Sequence, residues 1–247
     1  MLTIISHFYN EEYLLPWWLE HHKKIAPFGI MIDYHSTDRS VEIIKSICPH
    51  WEIRTTRNES FDAVLCDKEV QDIEKEIHGY KIALNTTEFL IGNVPIALQH
   101  YPAYLHLKSY VMCDRTENLP SYPTYDKPLI DQCHHGFVNL HYRQSRSMHR
   151  YLEMEYAVGR HSFLYDTELL AICWFGWAPF NEHTLKRKLQ IKDKIPPEDF
   201  IKGSGIQHSY NVEQLMEQYE YMSSTSYDLS PFIKTINRYG EYFVGPP

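Results

Sequence analysis

The sequence predicts one α/β domain with a mostly parallel, twisted sheet that is flanked by helices. Over the first hundred residues, short apolar runs alternate with helical stretches, which is typical of parallel strands joined by right-handed crossovers. The 247-residue chain contains no internal repeat and no linker that would separate two independent units. This length suits a single large α/β domain, so we expect residues 1–247 to form one domain.

Composition and charge narrow the class of protein. The chain is 43% hydrophobic and 23% charged, which is ordinary for a globular domain and excludes disorder. Its 24 basic residues are outnumbered by 32 acidic ones, so we expect no broad nucleic-acid-binding surface. The counts that stand out are 19 Tyr, 15 His and 5 Trp, a surplus that fits clefts for flat or polyhydroxylated ligands.

The cysteines and the N-terminus indicate the compartment. None of the five cysteines forms a CxxC pair, and a chain of this size without a disulfide framework is typical of the reducing cytosol. The N-terminus has no basic flank and only a few apolar residues, so it does not resemble a signal peptide. With no run of 18 apolar residues, we expect a cytoplasmic protein that does not span a membrane.

The first strand and helix are predicted from their apolar spacing. Leu2–Phe8 is a β-rich run that stops at a polar turn beginning with Tyr9. A helix follows, because Leu15, Trp18 and Leu19 recur at helical spacing and form one apolar face. The strand, turn and helix together predict the first β–α unit of the sheet.

The next elements continue the alternation. We predict strands at residues 29–34, 51–55 and 80–84, and helices at residues 40–47 and 60–77. The residues of the long third helix that we expect to face the core are Phe61, Val64, Leu65, Ile73 and Ile77.

The second half is less regular. Residues 96–112 are predicted to form one or two strands, and residues 116–131 form a loop because they contain three prolines. A strand is predicted at residues 134–142, and helices are predicted at residues 147–158 and 212–221.

Polar residues follow three of the predicted strands. They are Asn10 and Glu11 after the first strand, Asp33, Ser36 and Asp38 after the second, and Asn85, Thr87 and Glu88 after the fourth. Because the carboxyl ends of parallel strands share one edge of a sheet, we expect the three groups to converge on one crevice. Asp33 can accept a hydrogen bond from a ribose or a base, whereas Ser36 and Asp38 can equally cap the next helix.

Several well-known site signatures are absent from the sequence. Neither GxGxxG nor GxxxxGK[ST] occurs, which removes the main support for a dinucleotide-dependent dehydrogenase or a P-loop NTPase. The 15 histidines include two adjacent pairs, His21-His22 and His134-His135, whose members point in different directions on a helix or strand. We expect most histidines to pack in the core or lie at the surface, so a metal-dependent hydrolase ranks last.

Two segments carry a resemblance to a known family. FYNEEYLLPWWLEHH at residues 8–22 and IDYHSTD at residues 32–38 resemble the start of family 2-type glycosyltransferases with the GT-A fold, in the branch with a WLxHH helix after the NEE turn. NTTEF at residues 85–89 stands where that branch carries DxDEF. The resemblance is strong over residues 1–92, with weaker similarities at residues 159–162 and 205–208.

The resemblance implies transfer of a sugar, with inversion, from a nucleotide-sugar donor to a hydroxyl of a glycan or glycolipid, as in polysaccharide biosynthesis. Residues 1–92 would bind the donor and residues 93–247 would form the acceptor side. By position, Tyr9, Asn10 and Glu11 would lie along the nucleoside, and Asp33 would contact the base. Ser36 and Asp38 would shape the same pocket, and Asn85 and Thr87 would face the ribose and diphosphate.

The sequence departs from the family at the residues that hold a divalent cation. The two aspartates are replaced by Asn85 and Thr87, and hard cations such as Mn²⁺ and Mg²⁺ prefer carboxylate oxygens. Glu88 and His208 are the candidate ligands of a modified metal site. Alternatively, the cations Lys186, Arg187, Lys188 and Lys192 neutralise the diphosphate. A third alternative is a catalytically silent protein that binds a nucleotide sugar or a glycan.

An inverting transferase also needs a general base near the acceptor hydroxyl. Glu182 is the first candidate, with Glu155 and Asp166 as alternatives. Before Glu182, the aromatic residues expected to line an acceptor-binding wall are Trp174, Trp177 and Phe180. The basic run from Lys186 to Lys194 is interpreted as a solvated helix face, as a diphosphate contact, or as a peripheral contact with anionic lipid.

Overall fold

A ten-stranded mixed sheet runs through the part of the chain that the computed structural model describes, residues 1–138, 146–153, 158–160, 167–197 and 209–238. Its strands are β1 (Leu2–Phe8), β2 (Phe28–Asp33), β3 (Glu52–Thr55), β4 (Tyr80–Ala83), β5 (Glu88–Gly92), β6 (Tyr104–Cys113), β7 (His135–Val138), β8 (Arg146–His149), β9 (Thr167–Trp177) and β10 (Tyr227–Asp228). The described helices are α1 (Leu15–His22), α2 (Ser40–Ile47), α3 (Ala63–Glu76), α4 (Val94–His100), α5 (Leu129–Gln132), α6 (Glu182–Leu189), α7 (Val212–Thr225) and α8 (Ser230–Arg238). The predicted α/β class is confirmed.

Four parallel strands form the N-terminal part of the sheet, in the order β3-β2-β1-β4. The register pairs Phe8 with Asp33 at the end of β1 and β2, and Asp33 with Thr55 at the end of β2 and β3. On the other side of β1, Ile5 pairs with Ala83 of β4, and the Leu84 amide donates to the Ile5 carbonyl at 2.9 Å. The turns that follow β1, β2 and β4 therefore leave the sheet at one edge.

The second half of the chain joins this sheet mainly through antiparallel pairs. β8 lies between β4 and β6 and is antiparallel to both. β6 is also antiparallel to β7 and parallel to β9. On its other side, β9 is antiparallel to β5. This arrangement places β5 and β9 beside the turn that follows β4.

The core lies on both faces of β1. Ile4 and Phe8 point to the face that packs against α1, where Trp18 is fully buried and donates its indole N–H to the Glu88 carbonyl at 2.9 Å. Ile5 points to the opposite face, where Val70 of α3 packs against it. Helices therefore cover both faces of the parallel strands, as the continuous apolar runs predict.

The four strands and three helices predicted for the first half are present, with bounds that differ by a few residues. The inward face predicted for α3 is wrong at two positions, since the exposed fractions of Val64 and Leu65 are 60% and 46%. The buried face of α3 instead carries Asp67, Glu69 and Glu74. These carboxylates are buried because other parts of the chain supply partners for them: the earlier Thr56 hydroxyl donates to Glu69 Oε2 at 2.7 Å, and the later Gly159 amide donates to Asp67 Oδ2 at 2.7 Å.

Three predictions for the second half are wrong. The predicted loop at residues 116–131 is too long, because residues 129–131 belong to helix α5. Residues 96–100 belong to helix α4, which begins after Asn93, whose side chain accepts from the Ile96 amide at 3.1 Å, and has Pro95 in its first turn. Residues 147–149 form part of strand β8, because they fill the buried space between β4 and β6. Strands β5 and β9 and helix α8 are additions that the sequence analysis did not predict.

Candidate functional site

The turns after β1 and β2 are joined by hydrogen bonds to the side chain and backbone of Asn10. Asn10 Oδ1 accepts from the amides of Thr37 at 2.7 Å and Asp38 at 3.3 Å, and the Asn10 amide donates to Ser36 Oγ at 3.1 Å. Asn10 has a φ of 50°, a left-handed conformation that asparagine tolerates better than most residues. The predicted convergence of these two groups is therefore present.

The acidic residues after β2 build this turn. Asp33 is half-buried, and its Oδ1 accepts from the Ser36 amide at 2.9 Å. Asp38 accepts from the Ser40 amide at 2.9 Å and from the Glu12 amide at 3.0 Å, so it ties the start of α2 to the turn after β1. Asp38 thus binds the first amide of α2, although the residue at the cap position itself is Arg39, whose side chain makes no capping hydrogen bond.

Glu11 is buried and pairs with a residue of the second half of the chain. Its Oε2 accepts from Arg187 Nε at 2.6 Å, and its own amide donates to Ser40 Oγ at 2.8 Å. Burial raises the pKa of Glu11, and Arg187 and the Thr86 hydroxyl oppose that rise. Helix α6, which carries Arg187, is therefore held against the edge of the parallel strands.

The segment after α6 extends this contact along the turn after β1. Gln190 Nε2 donates to the Asn10 carbonyl at 3.0 Å. Lys194 Nζ lies 4.6 Å from the centre of the Tyr9 ring, and the Lys194 carbonyl accepts from the Phe61 amide at 2.8 Å. The basic run thus lies across the predicted crevice.

The side chains of the basic run divide between protein contacts and solvent. Lys188 Nζ lies 3.6 Å from the centre of a Trp177 ring, and burial, followed by the nearby Arg187 charge, lowers the pKa of Lys188 to about 7. Lys186 and Lys192 are exposed. No helix in the described ranges has the length and apolar character to cross a membrane.

Two buried arginines hold the turn after β4. Arg160 Nη2 donates to Asn85 Oδ1 at 3.0 Å. Arg146 donates to the Glu88 carboxylate from Nε and Nη2, at 2.7–3.0 Å. Thr87 is buried, and its carbonyl accepts from the Phe175 amide of β9 at 2.7 Å. Of the three residues in this turn that were predicted to face donor or metal, Asn85 and Glu88 therefore have side chains that are already hydrogen-bonded within the protein.

The oxygens of this turn do not form a divalent-cation site in the described part of the chain. Asn85 supplies a neutral amide oxygen that faces a guanidinium, and both Glu88 oxygens accept from Arg146. Among the described residues, no three His, Cys, Asp or Glu side chains are grouped so that they could hold a metal ion. His208, the second predicted ligand, lies outside the described residues.

The candidate base Glu182 is the first residue of α6 and is 65% exposed at its side chain. Its Oε2 accepts from the Tyr122 hydroxyl at 2.7 Å, and this bond lowers the pKa of Glu182. Asn181 caps the helix by accepting from the amides of His183 and Thr184, and its Nδ2 donates to the Tyr13 hydroxyl at 2.7 Å. The alternatives Glu155 and Asp166 lie outside the described residues.

The predicted aromatic wall before Glu182 is wrong for two of its three residues. Trp177 and Phe180 are buried, and the Phe180 ring stacks on Tyr219 with 3.7 Å between centroids. Trp174 is half-buried. Trp177 and Phe180 are therefore core residues that pack between the end of β9 and α7.

Three residues of the candidate site, Arg146, Arg160 and Asp67, were not predicted from the sequence. The sequence around Arg146 gives no signal, because its partner Glu88 is 58 residues away. Arg160 lies in the segment 159–162, which resembles the family only weakly. His22 behaves as expected for a core histidine, since its Nε2 accepts from the Leu90 amide at 3.2 Å.

No protein-family model matches the sequence, and no curated protein sequence matches it. Among solved structures, the chain is similar to S. aureus TarS 1–349 in complex with UDP, with a TM-score of 0.37, 11% identity, and coverage of 60% of this chain and 46% of that chain. It is similar to glucosyl-3-phosphoglycerate synthase from Mycobacterium tuberculosis with Mn²⁺, UDP and glucosyl-3-phosphoglycerate, with a TM-score of 0.36, 10% identity, and coverage of 61% and 56%. A third similarity, to HddC from Yersinia pseudotuberculosis, has a TM-score of 0.35, 10% identity, and coverage of 61% and 77%.

In other matches to TarS and the synthase, the chain spans 38% and 43% of the length of those chains. Similarities at these identities and TM-scores do not extend to the residues of a site.

Proposed function

We propose that this protein is a glycosyltransferase that moves a sugar from a nucleotide-sugar donor to a hydroxyl of a glycan or glycolipid, with inversion. The observation that carries the proposal is the joined edge of β1, β2 and β4. There Asn10 binds the turn after β2, and Glu11 binds Arg187 of α6. A crevice beyond the carboxyl ends of parallel strands is where open α/β sheets bind nucleotides.

The donor would bind along this edge. Tyr9 and Asn10 would lie beside the nucleoside. Asp33 would accept a hydrogen bond from the base through its second carboxylate oxygen, because Oδ1 already accepts from the Ser36 amide. The diphosphate would lie over the turn after β4, near Asn85 and Thr87. Lys188, whose lowered pKa reflects burial beside Arg187, would contribute positive charge below pH 7.

The reaction would proceed by attack of the acceptor hydroxyl oxygen on the anomeric carbon. The new glycosidic C–O bond forms as the C–O bond to the diphosphate breaks, and the nucleoside diphosphate leaves with the bonding electron pair. Glu182 would take the hydroxyl proton, and its lowered pKa, caused first by the hydrogen bond from Tyr122, supports this role because the carboxylate is then ionised at neutral pH. Its exposure leaves room for an acceptor beside α6.

The test is release of nucleoside diphosphate. The protein is incubated with UDP-, GDP-, CDP-, ADP- and dTDP-sugars and with glycan or glycolipid acceptors, each with Mn²⁺ and with EDTA. We expect release with one donor class that depends on an acceptor and is lost in Glu182→Gln. Binding of a donor without any release, across all donors and acceptors, would contradict the enzymatic proposal.

A catalytically silent nucleotide-sugar or glycan-binding protein is the second candidate. It is favoured by one observation, the engagement of the Glu88 carboxylate by Arg146 in a turn that lacks both family aspartates. A silent protein would bind the donor with the same dependence on Asp33, but Glu182→Gln would change nothing that can be measured.

A further inference from the structure

The residues at positions 85–88 do not suit the divalent cation that the family resemblance implies. A cation needs oxygens with free lone pairs and negative charge, and carboxylates supply both. Here the Asn85 amide oxygen accepts from Arg160, and the Glu88 carboxylate accepts from Arg146. Among the described residues, the groups that meet this turn are therefore guanidinium cations.

The two arginines use the same edge of the guanidinium differently. The edge formed by Nε and Nη2 is the one that binds a carboxylate or phosphate with two parallel hydrogen bonds. In Arg146 this edge is filled, since both nitrogens donate to Glu88. In Arg160, Nη2 donates only to the neutral Asn85 amide, and the buried Nε has no partner among the residues that the structure describes.

An unsatisfied donor on a buried cation is costly and needs an explanation. Arg160 is only 4% exposed, so water in bulk does not serve its Nε. The Arg160 guanidinium cannot move freely to find a partner for Nε, because its Nη1 donates to Asp67 Oδ1 at 3.0 Å. The guanidinium is thus held in place. On its Nε–Nη2 edge, one of the two nitrogens has no partner among the described residues.

The backbone also holds Arg160 in position. Its φ is 57°, a left-handed conformation that is strained for an arginine. The Arg160 carbonyl accepts from Arg146 Nη1 at 3.2 Å, and the preceding Gly159 amide donates to Asp67 Oδ2 at 2.7 Å. Strain that surrounding contacts maintain is a feature of ligand-binding positions.

Arg160 lies beside the proposed donor crevice. Its partner Asn85 follows β4, whose end is hydrogen-bonded to β1 through Leu84 and Ile5. His7, near the end of β1, has its pKa lowered by burial first and then by the charges of Arg160 and Arg146. The cation therefore stands at the edge of the sheet where the diphosphate is proposed to lie.

We propose that the Nε–Nη2 edge of Arg160 binds oxygens of the donor's diphosphate, in place of a divalent cation at the turn after β4. The inference rests on the proposed function. On binding, a phosphate oxygen pair replaces the Asn85 amide oxygen and satisfies Nε. Because Asn85 is neutral, it leaves the Nε–Nη2 edge of Arg160 available to phosphate. An aspartate at position 85 would occupy that edge, as Glu88 occupies the same edge of Arg146.

The first experiment measures nucleotide binding in EDTA by titration calorimetry. UDP, GDP, CDP, ADP and dTDP are compared with their nucleosides, and the best pair is then used on Arg160→Lys, which keeps the charge but loses the fork. We expect the diphosphate to bind wild-type protein without metal, and to bind the variant about 10- to 100-fold more weakly, the loss that corresponds to a charged hydrogen bond. Nucleoside affinity should stay unchanged. Arg115→Gln, at an arginine with 47% side-chain exposure, is the matched control.

Asn85→Asp tests the same inference without touching the arginine. We expect the new carboxylate to occupy the Arg160 edge and to weaken diphosphate binding in EDTA by about tenfold or more. If Asn85→Asp binds the diphosphate equally well or more tightly in EDTA, the inference is wrong. This variant also decides the matter if circular dichroism shows that Arg160→Lys does not fold.

The outcomes separate the inference from the proposed function. Wild-type binding that requires Mn²⁺, or an Arg160→Lys protein that folds and binds the diphosphate with unchanged affinity, overturns the role of Arg160 and leaves the donor crevice intact. Absence of binding for every nucleotide, with and without Mn²⁺, overturns both.

Discussion

Arg187 Nε and Glu11 Oε2 form a hydrogen-bonded ion pair of 2.6 Å between residues that are 176 positions apart in the chain. The two side chains are 16% and 6% exposed, so the pair is largely removed from water. Breaking such a pair leaves a buried charge without a partner, which costs more than the pair itself contributes. The contact fixes α6 against the edge of β1 and is one of the links between the proposed donor and acceptor sides.

Replacing Arg187 by Ala is expected to lower the free energy of unfolding by about 3 kcal/mol at pH 7. The pKa of Glu11 is already raised by burial, and loss of Arg187 raises it further. Between the ordinary and the raised pKa, the folded state binds more protons than the unfolded state, so stability falls as pH rises through this interval. Urea unfolding at pH 5 and pH 7.5 should show that the free energy of unfolding falls more between these two pH values in Arg187→Ala than in wild type. The exposed Lys186→Ala serves as control, and equal slopes in all three proteins would contradict the assignment.

Asp33 is expected to have two separable roles. Asp33→Ala removes the acceptor of the Ser36 amide and should lower stability by about 1 kcal/mol, whereas Asp33→Asn retains one oxygen for that bond. Both variants lose the second carboxylate oxygen, which in asparagine becomes a donor, so both should lose nucleotide binding. Calorimetric titration and urea unfolding measure the two effects. Wild-type nucleotide affinity in both variants would show that the crevice is misplaced.

Lys188 should give a distinct pH dependence of stability. Its pKa is lowered to about 7 in the folded state, below its ordinary value near 10.5, so between these values the unfolded state binds more protons. The free energy of unfolding contributed by this site therefore rises from pH 7 toward pH 10. Lys188→Met should abolish that rise, whereas the exposed Lys186→Met should retain it. Chemical unfolding at pH 7 and pH 9.5 provides the comparison, and an unchanged rise in Lys188→Met would exclude a lowered pKa.

The proposed base has its own test in the bond from Tyr122. Glu182→Gln should lower kcat about 10²- to 10⁴-fold and leave donor affinity unchanged. Because the Tyr122 hydroxyl lowers the pKa of Glu182, Tyr122→Phe should move the acidic limb of the pH–rate profile to higher pH. Glu220→Gln, at an exposed glutamate of α7, is the control. Full activity of Glu182→Gln with all acceptors would assign the base to another residue.

The first half of the fold was predictable because its strands are short, continuous apolar runs that end at polar turns. Leu2–Phe8 and the residues after it show how such a run also predicts a site, since parallel strands bring their carboxyl ends to one edge. Asn10, Asp33 and Ser36 meet for this reason. Local pattern was sufficient for all four of these strands, although β1 pairs with β4, which is not its neighbour in the chain.

The second half was predicted poorly because its residues depend on distant partners. Arg146 and His149 lie at the two ends of buried strand β8. Nothing in the sequence around them indicates that Arg146 pairs with Glu88 and His149 with Glu74. Helix α4, in contrast, had a local signal in the Asn93 cap and Pro95, which the apolar character of the following residues outweighed. Arg160 was missed because its observed partners, Asn85 and Asp67, lie 75 and 93 residues earlier.

Helix α6 begins at Glu182 and presents Arg187 five residues later. At a rise of about 1.5 Å per residue, these two side chains are offset by about 7.5 Å along one rigid rod. The helix is anchored by Asn181 at one end and by Glu11 further along, so in the proposed function it would set the distance between the base and the donor edge. One residue inserted between positions 182 and 187 would turn Glu182 about 100° around the helix axis relative to Arg187, because an α-helix has 3.6 residues per turn. The proposed function therefore depends on the spacing between the two positions as well as on their side chains.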